Sequence, residues 1–299
     1  MARQPAKKAA SKAVTNTRSG TSAIIRDVDS SQLQYEKGDV GRGTEQFGSE
    51  DVSVPRLKLI QGISPELDEY NKLRPGNYLH TAAGFIFDEP FEAVPVFADK
   101  RYLLWNPRDS GGGILARADD GVHWSPPDTE FQVKLDKRMG GHTVTWRTAK
   151  TVQQSGLANW GTMNPNDPDS PPAATLMYNF LLAFPGHPEL PPAVLTFQRS
   201  QIGVARKFNG KLKIGPAPLF GRVCEFSSVK TSSQQGDYFA MQVQQVGLID
   251  PSSDLYLDYR AMNDAFTKAG LAVRDLESLQ GEGEEDDSEP EQPQGRRKY

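Results

Sequence analysis

The stretch from Phe91 to Trp124 constrains the fold of this chain more than any other part of its sequence. Two apolar runs, Phe91–Phe97 and Tyr102–Trp105, are rich in Val, Phe, Tyr and Leu, which fit the pleated, half-buried surface of a β-sheet. The polar residues Asp99 to Arg101 predict a turn between these runs, and Gly111–Gly113 predict another turn before a third, shorter run. The stretch therefore predicts a β-meander.

Basic and aromatic side chains are interleaved along this meander. Such a composition suits a groove that follows the phosphates of a nucleic acid and stacks its bases on aromatic rings. The alternative is an ordinary sheet with buried aromatic residues and charges that contact only water. On the first interpretation, the candidate DNA-binding residues of the meander are Lys100, Arg101, Tyr102, Trp105, Arg108, Arg117 and Trp124.

Most of the remaining chain has the pattern of short strands separated by turn residues. The near-continuous apolar run Thr175–Phe184, bounded by prolines, predicts a buried strand that pairs with Ala193–Phe197. By contrast, Asn159–Pro172 is rich in proline and aspartate and predicts a long loop. Further strand pairs are predicted within Tyr78–Phe87, between Phe131–Leu135 and Thr143–Trp146, and between Phe220–Val229 and Tyr238–Val246.

Two segments have a helical pattern. The segment Ser200–Ile214 repeats apolar residues at every fourth position from Val204, and Ser200 is its predicted cap. The second helix is predicted at Tyr256–Leu271. Five basic residues and no acidic one occur in and next to the first helix, which is therefore predicted to carry a cationic surface; its candidate DNA-binding residues are Arg199, Arg206, Lys207 and Lys211.

The counted elements predict a mainly β fold: an OB-like Greek-key barrel or a sandwich with elaborated loops and two helices. We assign residues 52–274 to this core. A hydrophobic content of 37% and a mean hydropathy of −0.57 are low for a chain folded throughout, so part of it is predicted to be disordered. Residues 1–51, a basic and polar arm, and residues 275–299, an acidic tail, are the predicted disordered segments.

The charge of the chain is distributed unevenly. From Asp275 to the last residue there are nine acidic residues against three basic ones, whereas the preceding chain is close to neutral. An anionic tail of this kind can mimic a nucleic-acid backbone and occupy a basic groove, or recruit a basic partner; the alternative is a tail that only increases solubility. The candidate tail residues for autoinhibition or partner binding are Glu284, Glu285, Asp286, Asp287, Glu289 and Glu291.

The single cysteine, Cys224, excludes an intramolecular disulfide framework and a cysteine-rich zinc cluster. No apolar run has the length of about 18 residues that a membrane-spanning helix needs. We therefore expect a protein without a membrane partner in a reducing cytoplasm.

Sequence motifs for catalysis are not found: neither a P-loop, a dinucleotide fingerprint, a nucleophile elbow nor a zinc-protease helix is present. The pairs Asp119/Asp120 and Asp167/Asp169 have the oxygen ligands that hard cations prefer, but both occur in turn-rich sequence where aspartate is common. His123 has no nucleophile or paired acid nearby in sequence. We expect no catalytic residue, cofactor or metal.

Three segments resemble a family of tailed-bacteriophage proteins, of which some are regarded as replication-associated single-stranded DNA-binding proteins. These segments are VPRLKLIQGISPE, KRYLLWNPRDSGGGILAR and NPNDPDSPPAAT. A β core followed by an acidic tail is also similar to the layout of phage single-stranded DNA-binding proteins with an OB-type core. Such tails usually end in acids and an aromatic residue, whereas here Arg296, Arg297 and Lys298 precede Tyr299.

The leading hypothesis is a non-catalytic single-stranded DNA-binding protein of phage replication or recombination, with replication or recombination proteins as partners of its tail. The first alternative is a virion or assembly protein, and the second is a metal-dependent nucleic-acid enzyme that uses the loop aspartates. The sequence leaves open whether the protein forms a homo-oligomer and whether it prefers DNA or RNA.

Overall fold

A computed structural model describes residues 42–43, 54–233 and 236–269. The predicted acidic tail, and the basic arm apart from residues 42–43, lie outside the described residues. The strands are β1 (Leu57–Leu59), β2 (Tyr78–His80), β3 (Phe85–Phe87), β4 (Phe91–Trp105), β5 (Ile114–Ala118), β6 (Glu130–Lys134), β7 (Thr143–Arg147), β8 (Ala174–Ala183), β9 (Ala193–Gln198), β10 (Arg222–Ser233) and β11 (Gly236–Leu248). The helices are α1 (Glu66–Glu69), α2 (Val152–Ser155), α3 (Ile202–Ile214) and α4 (Asp254–Ala269).

The strands form one large sheet and two small ones. In the main sheet the order is β11-β10-β4-β8-β9, and β5 pairs with the C-terminal end of β4. The small sheets are β1-β2-β3 and the hairpin β6-β7. The mainly β prediction is confirmed, and the arrangement is consistent with its sandwich alternative. The boundaries of 52 and 274 that we assigned to the core stay a prediction.

Strand β4 organises the main sheet because it pairs along both of its edges. One edge pairs with β8, while β10 and β5 share the opposite edge at its two ends. Between them, the side-chain amide of Asn263 in α4 donates a hydrogen bond to the carbonyl of Val96 at 2.7 Å. Helix α4 thus contacts β4 between the segments that pair with β10 and β5.

The turn predicted at Asp99–Arg101 is wrong, because β4 continues through it. Asp99 accepts a hydrogen bond of 2.8 Å from the amide of Asn179 on β8, and Arg101 donates one of 2.7 Å to Asp99. Between them, Lys100 stays paired with Tyr178. The polar side chains therefore have partners within and across the strands, and the backbone needs no turn to solvate them.

Two apolar cores lie at opposite ends of β4 and β8. The proximal core lies under α3 and contains Phe180, Phe208 and Phe226, together with buried residues of β1, β2 and β3. The distal core lies under the β6-β7 hairpin and contains Trp124 and Trp146. A smaller cluster packs α4 on the other side of the main sheet. The two long strands connect the cores and leave a stretch of sheet between them.

Edge strand β11 is held by two glutamine side chains. Phe239 donates its N–H to Gln61 at 2.8 Å and accepts from the same side chain at 3.0 Å. Met241 donates its N–H to Gln201 at 3.0 Å. Gln61 follows β1 of a small sheet, and Gln201 follows β9 at the opposite edge of the main sheet. These amides therefore bond the backbone of β11 to segments that are distant from it in the sheet order.

Both predicted long helices are confirmed, but each begins at a residue other than the predicted one. Helix α3 begins at Ile202 after a 3₁₀ turn at Arg199–Gln201, and Ser200 provides no cap because the turn precedes the helix. Its apolar face is as predicted, since Ala205 and Phe208 are buried. Helix α4 begins two residues before the predicted start, where the Ser253 hydroxyl accepts the N–H of Tyr256 at 3.3 Å.

The predicted hairpins are present. The long loop Asn159–Pro172 contains no strand or helix, as predicted, but internal hydrogen bonds hold it in place. One of them joins the N–H of Asn164 to the hydroxyl of Ser170 at 3.0 Å, and the indole N–H of Trp146 donates to the carbonyl of Thr162 at 3.1 Å.

Candidate nucleic-acid interface

Trp124 belongs to the distal core rather than to a binding surface. Its side chain is only 3% exposed, and its indole N–H donates to the hydroxyl of Ser155 at 3.1 Å. A ring buried to this extent offers no surface to a base, so this position does not suit the predicted stacking role of Trp124. The sequence could not show this, because an indole beside His123 in a turn is equally compatible with either position.

Arg101 is also unsuited to bind a phosphate. It is 8% exposed and contacts Asp99 through two nitrogens at 2.9 and 2.7 Å and Asp119 through a third at 3.3 Å. A buried guanidinium needs such carboxylate partners. This position does not suit the predicted phosphate-binding role of Arg101, whose charge is paired within the middle of the sheet.

This pairing is part of a polar row across three strands. Asn179 of β8 donates to Asp99 of β4 at 2.8 Å and accepts from the hydroxyl of Thr196 of β9 at 2.7 Å. The row lies on the side of the main sheet opposite to α3, since its members alternate with residues that face α3. The polar side chains of one sheet face thus satisfy one another.

On the α3 side of the main sheet, the stretch between the two cores carries a different set of side chains. Lys100 is directly opposite Tyr178, and Tyr178 is directly opposite Phe197 of the proximal core, so all three project to the same side. Tyr102 projects to that side as well, with the Lys100 ammonium 4.9 Å from the centre of its ring. We call Lys100, Tyr102 and Tyr178 the floor.

The other candidate DNA-binding residues of the meander differ from one another in exposure and in contacts. Trp105 is half-buried, and within the described structure its buried indole nitrogen has no hydrogen-bond partner. Arg108 is exposed in a 3₁₀ turn after β4. Arg117 is half-buried on β5, where its backbone N–H and C=O pair with Ser125 at 2.9 and 2.7 Å.

The basic side chains of the α3 region are all exposed. We call Arg199, Arg206, Lys207, Lys211 and Lys213 the cationic face. No acidic residue in the described part of the chain forms an ion pair with any of them. Ala205 and Phe208 fix the helix on the core, with the Phe208 ring 5.2 Å from that of Phe180. The cationic face is therefore presented by a firmly packed helix.

The cationic face begins beside the floor. Strand β9 ends at Gln198 opposite Met177, the neighbour of Tyr178, and Arg199 follows at once. Arg199 has a φ of +51°, a left-handed conformation that is uncommon for a residue other than glycine. This turn reverses the chain so that α3 runs back over the proximal core.

The aspartates considered as metal ligands have local hydrogen-bonding roles. Asp120 accepts the backbone N–H groups of Val122 and His123, both at 2.7 Å, and contacts the His123 ring at 2.6 Å. Although partial desolvation opposes the shift, these hydrogen bonds lower the pKa of Asp120 to about 2. Asp167 accepts the N–H of Asp169 at 3.0 Å. Among the described residues, no group of three or more His, Cys, Asp or Glu side chains could hold a metal ion.

Cys224 has no catalytic environment. Its side chain is fully buried in the proximal core, and this burial, against the weaker effect of the Arg222 charge, raises the pKa of the thiol to about 12. Since the thiolate is the reactive form, Cys224 is inert in the folded protein.

Sequence reasoning missed two aromatic residues. Tyr178 was hidden in an apolar run and becomes part of the floor only through its register with Lys100. Trp160 is 70% exposed in the loop Asn159–Pro172, where proline and aspartate dominated the interpretation. For Trp160, the signal in the sequence was a single tryptophan within a polar loop.

Comparison with known protein families finds a match over most of the chain. Residues 21–271 match the family described as Pam3 phage gp34-like protein. No curated protein matches the chain, and no solved structure matches it. Of the helices in the described residues, none is long and apolar enough to cross a membrane.

Proposed function

The chain belongs to the Pam3 phage gp34-like protein family, and from this phage origin and its cationic face we propose that it is a non-catalytic single-stranded DNA-binding protein of phage DNA replication or recombination. The observation that carries this proposal is the set of five exposed bases around α3, which no described acid neutralises. Neutralising backbone phosphates releases counterions and supplies most of the affinity of sequence-independent binding.

The floor supplies the second element of the proposed mechanism. Tyr102 and Tyr178 lie on adjacent strands beside the start of the cationic face. Bases that are already unpaired can stack on such rings, whereas the bases of a duplex are stacked on each other. We therefore propose that phosphates contact the cationic face while bases contact the floor, with Lys100 near both.

The acidic tail has a proposed role in the same activity. Its candidate residues, from Glu284 to Glu291, lie outside the described residues. We propose that the tail competes with DNA for the cationic face and, when DNA displaces it, becomes available to replication or recombination proteins. Tethering gives such a competitor a high effective concentration.

The decisive experiment is a titration with poly-dT that follows tryptophan fluorescence at two salt concentrations. Trp160, which is exposed, and Trp105, which is half-buried, serve as reporters. We expect saturable quenching and a logarithm of the binding constant that falls linearly with the logarithm of salt concentration. The absence of binding at low salt would overturn the proposal.

A role in virion assembly is the second candidate, and it is favoured by one feature. Large apolar side chains are exposed at the end of α3, on β11 and on α4. Arg222 connects the first two elements, because it donates to the carbonyl of Leu212 at 3.1 Å and to the Gln245 side chain at 2.8 Å. Contiguous exposed apolar surface marks interaction sites. A stable assembly formed without DNA, seen by analytical ultracentrifugation, would favour this function. The exposed residues are Ile214, Val246, Leu248, Leu255 and Leu257.

A further inference from the structure

Two turns at the distal end of the molecule have the same backbone conformation. One connects β4 to β5 and contains the 3₁₀ turn Arg108–Ser110; the other connects β6 to β7 and contains the 3₁₀ turn Lys137–Met139. Each ends in a glycine with φ of +98°, Gly111 and Gly140, which only a residue without a side chain adopts readily.

Their hydrogen bonds correspond one to one. In the first turn, Gly112 donates to the carbonyl of Pro107 at 3.1 Å, and Asn106 donates to that of Gly113 at 2.9 Å. In the second turn the equivalent bonds join Gly141 to Asp136 at 3.2 Å and Leu135 to His142 at 3.0 Å. The side chains differ, so the two turns are repeats in backbone structure rather than in sequence.

The two turns also contact each other directly. The Ser110 hydroxyl donates to the carbonyl of Lys134 at 3.1 Å and accepts the N–H of Lys134 at 2.8 Å. The second turn begins directly after Lys134. One side chain therefore fixes the two turns next to each other, and we call them the paired turns.

The paired turns present basic side chains at equivalent positions. Arg108 and Lys137 each occupy the first position of their 3₁₀ turn, and Arg138 and Lys134 are exposed beside them. Within the described residues none of these four has an ion-pair partner. Two acids belong to the same turns: Asp109 is exposed next to Arg108, and Asp136 is half-buried at the base of the second turn. The exposed charges are therefore four positive and one negative.

The first of the paired turns follows the strand that carries two residues of the floor. Tyr102 of the floor and Trp105, the last residue of β4, are three residues apart on the same strand, which corresponds to about 10 Å. The first turn follows Trp105 directly. A nucleic-acid strand that continued from the floor along β4 would have to extend more than about 10 Å past Tyr102 to contact the paired turns.

We propose that the paired turns are a second phosphate-binding surface, which binds the backbone of a single-stranded nucleic acid beyond the floor. This inference rests on the proposed function and extends its footprint to the distal end of the molecule. Equivalent cations on neighbouring turns match the repeated charges of a phosphodiester backbone, which carries one charge per nucleotide.

The test uses the full chain with Arg108, Lys137 and Arg138 changed to Ala, and oligo-dT of about 4 and about 16 nucleotides, the limits of usual site sizes. With the longer oligonucleotide we expect about a tenfold weaker affinity and a salt slope shallower by about 2, because each neutralised phosphate of a single strand contributes about 0.7. With the shorter one, which the floor and the cationic face can hold alone, the affinity stays unchanged. Far-UV circular dichroism confirms folding, since the turns are held by backbone bonds that alanine retains.

The matched control removes three other exposed lysines, Lys72, Lys150 and Lys268. An equal loss of affinity in this control would show an effect of overall charge and overturn the inference, as would wild-type affinity and salt slope in the paired-turn variant. In both cases the proposed function stands, because wild-type protein still binds. Failure of the wild-type protein to bind either oligonucleotide is the separate result that overturns the proposed function.

Discussion

Lys100 on β4 and Tyr178 on β8 lie directly opposite each other, so that a cation and an aromatic ring share one side of the main sheet. The neighbouring residues in both strands, Asp99 and Asn179, hydrogen-bond on the other side at 2.8 Å. Strand alternation therefore separates a satisfied polar row from a surface with a half-buried ring and an exposed charge. This separation leaves the side chains of the floor outside the hydrogen bonds of the polar row.

If the floor stacks bases, Tyr178→Ala and Tyr102→Ala should each weaken single-stranded DNA binding by about 1–3 kcal/mol, the usual cost of removing one stacked base. The corresponding Phe variants keep the ring and should bind nearly as wild type does. Affinities are measured by fluorescence anisotropy with oligo-dT. Tyr238→Ala, a half-exposed tyrosine on β11, is the matched control. Wild-type affinity in both Ala variants would remove the floor from the interface.

For the cationic face, Arg206→Ala combined with Lys207→Ala should weaken binding and reduce the salt slope by about 0.7 for each phosphate that is no longer neutralised. Both side chains are exposed on a helix held by Phe208, so the fold should be unaffected. Removing Lys72 and Lys150 instead provides a control with the same change in charge. An unaltered slope in the first variant would mean that these residues contact only water.

The sequence predicted those elements whose signal is local. The apolar run Thr175–Phe184 and the bases around α3 were recognisable because their composition alone distinguishes them. Strand β4 was divided in the prediction because the partner of Asp99 is Asn179, far away in the chain. The place of Tyr178 in the floor could not be predicted for the same reason. Which residue lies opposite Lys100 depends on the strand register, and the register depends on the complete sheet.

The sequence predicted a turn at Gly111–Gly113 and a hairpin around the second turn, but not that the paired turns share one conformation and contact each other. Their hydrogen bonds are between backbone atoms, and their sequences share little beyond two consecutive glycines. For the candidate site, Trp124 and Trp105 show that the sequence alone does not predict which tryptophan is buried. Both have aromatic and charged neighbours in sequence, but only the packing of the β6-β7 hairpin over Trp124 decides that it is buried.

Burial of Trp124 predicts a large effect on stability. Trp124→Ala removes a ring from the distal core and should lower the free energy of unfolding by about 3–5 kcal/mol. Trp124→Phe, which retains most of the apolar volume but removes the hydrogen bond to Ser155, should have a smaller effect. Urea denaturation followed by circular dichroism measures both. A loss of DNA affinity without a loss of stability would contradict the assignment of Trp124 to the core.

Alkaline pH should destabilise the protein through two buried acids. Burial raises the pKa of Cys224 to about 12 and raises the pKa of Tyr78, whose hydroxyl donates to the carbonyl of Ser227 at 2.8 Å. Between about pH 9 and 12 the unfolded chain releases these protons while the folded chain keeps them, so the free energy of unfolding falls as pH rises. Below about pH 9 both states are protonated, and these groups have no effect.

Urea denaturation at about pH 8 and about pH 10.5 measures this fall in stability. The fall should be smaller in a Cys224→Ala, Tyr78→Phe variant, because neither replacement has a proton to release in this range. A fall of the same size in the variant would attribute the alkaline effect to other groups.

The acidic tail should compete with DNA for the cationic face. Truncation after Ser278 removes seven of the nine acids that follow Arg274, together with Arg296, Arg297 and Lys298, and it leaves α4 intact. Because a tethered anion acts at high effective concentration, its removal should tighten binding at low salt. Above physiological salt, where the Debye length is below about 8 Å, the difference should shrink.

The control for length is a full-length chain in which the acids from Glu284 to Glu291 are changed to Gln or Asn; it should bind as tightly as the truncated chain. Dissociation constants for oligo-dT at low and high salt distinguish three roles of the tail. A competitor weakens low-salt affinity only when it is charged. A tail that serves only solubility, or only a partner protein, leaves the affinity of all three chains equal, and equal low-salt dissociation constants therefore contradict competition while leaving DNA binding itself intact.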